Sequence, residues 1–182
     1  MTDIKSPEDV LAFWIKAGPE KWYQKDEAFD RSIRDSFLTT YEAAAEGRLS
    51  AWERTPDSAL ALIIVLDQLP RNMFRNSARA WLADPLAREV AGRAISQGFD
   101  KAVDKSLRAF FYLPFMHSED LADQDYCVEL CEALGNEDNL KYAEIHRDVI
   151  SRFGRFPHRN VVLGRETTPD EQAFLDGGGF AG

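Results

Sequence analysis

Apolar residues in this chain recur at intervals of three and four rather than two, and most of these runs lie between a helix start signal and a glycine or proline. Ser6-Pro7-Glu8-Asp9 offers an N-cap, a proline for the first helical position and acids that suit the positive end of a helix dipole. Val10, Phe13, Trp14 and Ala17 then form one stripe before Gly18. From Asp26 to Glu46 the row Phe29, Ile33, Phe37, Tyr41 advances by fours and Gly47 follows, which predicts a long amphipathic helix. Thr55-Pro56-Asp57 opens a third helix whose body, Ala59 to Leu66, is apolar all round and should be the most enclosed; Pro70 should stop it near Leu69.

Further along, a short piece near Ser77 to Ala83 leads to Asp84-Pro85, read as a cap pair, with Leu86, Val90, Ala91, Ala94 and Ile95 facing inward and Gly98 closing. Asp104 to Leu113 reads as a helix interrupted by Pro114, and Ser118 as the cap of the next, which ends at Leu134-Gly135. Asn136 to Phe153 is the last long helix, and Thr168-Pro169-Asp170-Glu171 has the spacing of a capping box for a short terminal one. Val161-Val162-Leu163 is too short to found a sheet. The expected fold class is therefore all-α, built of antiparallel helix pairs, with residues 1–182 as a single domain and a mobile glycine-rich tail, 177–182.

Composition narrows the partners. A formal net charge of -9 argues against nucleic acid and anionic membranes, which both need a basic footprint. The N-terminal sequence lacks a signal-peptide pattern and no apolar run approaches bilayer length, so a cytoplasmic protein is expected. Cys127 and Cys131 lie one helical turn apart and read as reduced packing residues.

Against this acidic background two acid-free basic stretches stand out, Pro70 to Arg79 and Ser151 to Arg165. Asp67 ends the buried helix, where the dipole disfavours a carboxylate, so it requires a cation such as Arg71. The forks of Arg71, Arg155, Arg159 and Arg165, with Asn160, suit a phosphate or carboxylate, but the same residues suit turns and helix ends. His117, Glu119 and His158 are candidates for acid-base chemistry, while His146 shares a face with Val149, Ile150 and Phe153 and belongs against the core. The spacing of the three histidines matches no metal motif, so neither a metal nor a cofactor is expected.

Four of these stretches also occur together, in order, in a known family. Val10-Leu-Ala-Phe-Trp14, Leu60 to Asn72, Tyr112 to Glu119 and Phe153 to Asn160 make the chain resemble a bacterial family known as domain of unknown function 924. Leu69 and Met73 stand where that pattern usually has Phe and an aromatic residue, mild apolar departures. The resemblance implies a fold similar to tetratricopeptide-like αα superhelices and implies no activity. Three readings stay open. The first is a pocket for a small anionic ligand or acidic peptide, lined by Asp67, Arg71, His117, Glu119, Arg155, His158, Arg159, Asn160 and Arg165. The second is a hydrolase in which His117 or His158 works with Glu119 or Asp67, and the third a structural latch across the helices. Both functional readings require His117, Glu119 and an arginine of the 155–159 loop to converge.

Overall fold

The computed structural model describes residues 3–181; Met1, Thr2 and Gly182, the end of the tail expected to be mobile, lie outside the described residues. Helices carry the whole architecture, and no strand occurs among the described residues. Nor is any described helix long and apolar enough to cross a membrane. The chain forms two compact units, Met1–Phe111 and Tyr112–Gly182.

The first unit begins with α1 (Pro7–Ala17), whose Ser6 cap closes a full capping box: the Asp9 amide donates to Ser6 Oγ (3.2 Å) and the Ser6 amide to Asp9 Oδ2 (3.1 Å). A single turn, α2 (Pro19–Trp22), precedes α3 (Glu27–Ala45), which is capped by Asp26. The third predicted helix is α4 (Pro56–Ile63), and no residue from Ala59 to Leu66 is more than 3% exposed. It packs on α1 and on α6 (Asp84–Ser96), while α3 lies against α5 (Leu69–Met73). The unit closes with α7 (Phe99–Ala102) and a 3-10 segment, Lys105–Phe111, that brings Phe110 edge-on to Trp14.

One boundary differs from the sequence expectation for a clear reason. The chain does not leave the helix before Pro70; it widens into a π turn, Ile64–Gln68, and continues as α5. The Leu69 amide donates to the Ile64 carbonyl five residues back, so Pro70 enters in the first turn of α5, where its missing N–H costs nothing. Asp67 and Gln68 are thereby carried into the interior. Asp84 is likewise not a cap. It is the first residue of α6, after Ala83, and its carboxylate receives both Nη atoms of Arg71 at 3.0 and 2.9 Å. The same guanidinium reaches Asp67, at 3.4 Å from Oδ1 and by a hydrogen bond to the Asp67 carbonyl. Burial pulls the Arg71 pKa down, yet the two carboxylates outweigh it and hold the group above its ordinary value.

The second unit opens with α8 (Leu113–Met116), in which Pro114 starts a helix rather than interrupting one. Next, α9 (Leu121–Leu134) and α10 (Glu137–Phe153) pack together across the Gly135-Asn136 turn, and both touch α8. Asp120, not Ser118, caps α9 by accepting from the Ala122 amide (2.8 Å); the Ser118 hydroxyl donates to Asp123 instead (2.6 Å). Gln124 is fully buried and its amide nitrogen donates to the Met116 and Ser118 carbonyls at 2.7 and 2.6 Å, which ties the end of α8 to α9. Cys127 and Cys131 are buried free thiols, as their spacing suggested. Last comes α11 (Pro169–Asp176), with the complete Thr168–Glu171 capping box.

Removing the Arg71 guanidinium would leave the Asp67 and Asp84 carboxylates facing each other without their shared cation. Arg71→Met is therefore expected to lower the unfolding free energy by roughly 3–5 kcal/mol, read from urea denaturation, although the methionine stem preserves most of the packing.

Candidate functional site

Gly154, in the left-handed region (φ 68°), ends α10 and turns the chain into the Arg155–Thr168 loop. Phe156 follows as a fully buried wedge against Val149 and Ile150 of α10. Its amide donates to Glu119 Oε1 (2.8 Å) from the far end of the α8–α9 connection. Arg165 grips the same carboxylate with two bonds, Nη1 to Oε2 at 2.7 Å and Nη2 to Oε1 at 3.0 Å, and adds a bond to the Phe156 carbonyl (3.1 Å). Desolvation of Glu119 raises its pKa, but the Arg165 and Phe156 donors and the Arg165 and Arg159 charges together hold it below the usual carboxylate range.

A second bidentate pair stands at the other side of the loop. Arg155 meets Glu171 at 2.6 and 2.8 Å and also donates to the Glu166 carbonyl (2.8 Å). Glu171 receives the Thr168 amide (2.8 Å) and Asn160 Nδ2 (3.2 Å) as well. With this many donors, the Arg155 bond foremost, its pKa falls to about 2. Arg155, Asn160 and Arg165 thus fix the loop to carboxylates of the chain itself.

Within this frame the three histidines lie along one run of ring contacts that passes through Phe156. The ring centroids of His117 and His146 are 6.4 Å apart, those of His146 and Phe156 5.6 Å, and those of Phe156 and His158 5.6 Å. The Arg159 guanidinium lies over the Phe156 ring at 4.4 Å and its Nη2 donates to the His117 carbonyl (3.1 Å). Arg159 thus reaches the backbone of His117 and its charge acts on Glu119, while His146 lies buried against the core with its Nδ1 2.7 Å from the Tyr142 carbonyl. Burial first, and then the charges of His117, Arg159 and His158, press the His146 pKa down to about 3. Among the described residues no group of three His, Cys, Asp or Glu side chains is arranged to hold a metal ion. Asp67 and Arg71, also named from the sequence, make their own cluster with Asp84 in the first unit.

Two participants escaped the sequence reading. Glu171 was visible as a capping-box acid, but its service to Arg155 and Asn160 was not. Phe180 sits in the segment expected to be mobile, yet its ring is 4.3 Å from that of His146, 5.4 Å from His158 and 6.2 Å from Phe156. An aromatic after three glycines was the available signal.

This all-helical arrangement, with its loop clamped over a histidine cluster, belongs to a recognised group of bacterial proteins. The chain is a member of the family described as bacterial protein of unknown function (DUF924), which matches residues 10–179. It is also similar to a solved structure, a protein of unknown function, ATU0120, from Agrobacterium tumefaciens. The two share 49% sequence identity with a TM-score of 0.92, over 94% of this chain and 97% of that one. No curated protein matches the chain.

Two outcomes follow from the clamp. Arg165→Ala should lower the thermal midpoint by roughly 5 °C, because Glu119 loses its bidentate cation and keeps only the Phe156 amide, and the Phe156 carbonyl loses the Arg165 donor. Acid should act through Glu171, whose ordinary pKa is 4.5 and whose folded value is about 2. The stability it lends is complete above pH 4.5 and disappears as pH falls toward 2, so Glu171→Gln should flatten the stability profile in that window. His146 acts higher: the unfolded chain takes up its proton near 6.5 and the folded chain only near 3, so stability declines as pH drops between these values. In His146→Phe that decline should be reduced in denaturation profiles recorded across the same range.

Proposed function

We propose that the second unit binds a small anion, a carboxylate or phosphate, at the cluster formed by His117, His158 and Arg159 around Phe156. The observation that carries this reading is the run of ring contacts from His117 through His146 and Phe156 to His158, with the Arg159 guanidinium over the Phe156 ring, in a chain of net charge -9. Burial is the larger cause of the depressed His146 pKa, and the charges of His117, Arg159 and His158 add to it. An anion offsets those charges, and ring N–H donors beside a guanidinium supply directional bonds to its oxygens. Arg155, Asn160 and Arg165 then act as the frame, and the Asp67–Arg71–Asp84 cluster as a helix lock, rather than as ligand contacts. A small cytoplasmic metabolite or the carboxylate of an acidic peptide both meet the chemical requirement.

Binding is favoured over hydrolysis by the state of Glu119. A carboxylate held below its usual pKa is a weak proton acceptor and serves poorly as a general base, and both oxygens of Glu119 are already engaged by Arg165 and the Phe156 amide rather than by a histidine. His146, neutral until about pH 3, is equally unsuited to deliver a proton near neutrality.

Titration of the protein with phosphate and with acetate, followed by the histidine ring resonances and by thermal midpoint, tests the proposal. Either anion at about a hundred times its Kd should stabilise the fold by roughly 2.7 kcal/mol, and the effect should vanish in His158→Gln while Arg71→Lys retains it. If neither anion shifts the His117 or His158 signals, the reading fails.

A further inference from the structure

The position of Phe180 is the feature that anion binding leaves unexplained. Its ring contacts His146, His158 and Phe156 and packs against the apolar cluster that Phe156 forms with Val149 and Ile150. The chain reaches this position through Gly177, Gly178 and Gly179, which follow α11. Gly178 adopts φ 77°, a conformation that a residue with a side chain rarely takes, and the Gly178 and Gly179 amides donate back to the Leu175 and Phe174 carbonyls at 3.1 and 2.9 Å. A Cβ on Gly179 would stand 2.5 Å from Phe174 Cζ, so only glycine lets the segment pass this close to α11. Phe174 itself packs against Phe153, the two rings tilted with centroids 5.1 Å apart, which limits how far it can yield.

We infer that the place held by the Phe180 ring is a ligand subsite, and that the unit's ligand class is a small aryl-alkyl carboxylate. Its ring displaces Phe180 from His146, Phe156 and His158, and its carboxylate meets His117, His158 and Arg159. The inference rests on the anion reading above and adds the ring to it. Geometry links the two halves: the Phe180 ring is 5.4 Å from that of His158 and 4.3 Å from that of His146, whose ring is in turn 6.4 Å from that of His117, so the ring position adjoins the histidines. A short alkyl spacer therefore joins them. Phe180 acts as a resident occupant on a glycine tether, which holds the apolar wall covered until a ligand with both features competes for it. Glycine suits this tether because it gains more conformational freedom on release than any other residue.

Isothermal titration calorimetry with 3-phenylpropanoate, propanoate and 3-phenylpropanol, on the wild type, Phe180→Ala and Gly179→Ala, separates the possibilities. If the resident ring covers the subsite about nine-tenths of the time, its removal should tighten 3-phenylpropanoate binding about tenfold. Gly179→Ala, which leaves every wall residue in place, should act in the same direction and guards against loss of packing in Phe180→Ala. In both variants 3-phenylpropanoate should bind more tightly than either probe that carries only one of its two features. Equal affinity of propanoate and 3-phenylpropanoate in all three proteins would overturn the aromatic subsite and leave the anion reading standing. Equal affinity of 3-phenylpropanol and 3-phenylpropanoate would overturn the carboxylate class. Absence of binding by either carboxylate to any of the proteins would defeat both readings together.

Discussion

Glu119 accepts three hydrogen bonds from residues 37 and 46 positions further on, and the arrangement of the second unit depends on that one carboxylate. One donor is the Phe156 backbone amide, which sets the depth to which the phenylalanine wedge enters beside Val149 and Ile150. The other is the Arg165 fork, which returns the loop to its own start by also binding the Phe156 carbonyl. Between these two anchors the chain has little freedom, so His158 and Arg159 take their places beside Phe156 as a consequence. A half-buried bidentate pair is suited to this, since water screens it less than a surface pair and the guanidinium plane imposes a direction as well as an attraction.

The arginines of this chain divide by what faces them. Arg71, Arg155 and Arg165 each meet a carboxylate with two bonds, and each joins segments distant in sequence. Arg159 donates to the His117 carbonyl and lies over the Phe156 face, and its charge also acts on Glu119. Residue type alone therefore does not assign a role to an arginine in this loop; the partner does.

Helices were legible because their signals are local. Ser6, Asp26, Thr55, Asn136 and Thr168 all cap where a start was expected, and the apolar run from Ala59 to Leu66 is indeed enclosed. What failed was local too, but depended on a competitor that the pattern did not rank. Ser118 yielded its cap to Asp120 because its hydroxyl found Asp123, and Pro70 did not end its helix because a π turn absorbed it. The sequence singled out polar residues by their cost of burial among Phe and Pro, and it pointed to Arg71 as the cation for Asp67, which the ion pair bears out. It did not pair Arg165 with Glu119 or Arg155 with Glu171, since nothing local encodes a partner across a turn of tertiary structure.

Phe180 shows how close to balance such a contact stands. Burying a phenylalanine side chain completely contributes about 2–3 kcal/mol, and this ring is only partly covered. Against it stands the ordering of the residues behind it, at about 1–2 kcal/mol for each backbone fixed and more for glycine than for others. Bonds from Gly178 and Gly179 to the end of α11 recover part of that cost. The sum lies near zero, which is the condition under which a resident ring excludes water from an apolar wall and still gives way. A tether of alanine or valine would lose less entropy on docking and hold the ring more firmly where the backbone tolerated it, but Gly178 at φ 77° and the contact of Gly179 with Phe174 both require glycine. The geometry that seats Phe180 thus also keeps its hold weak.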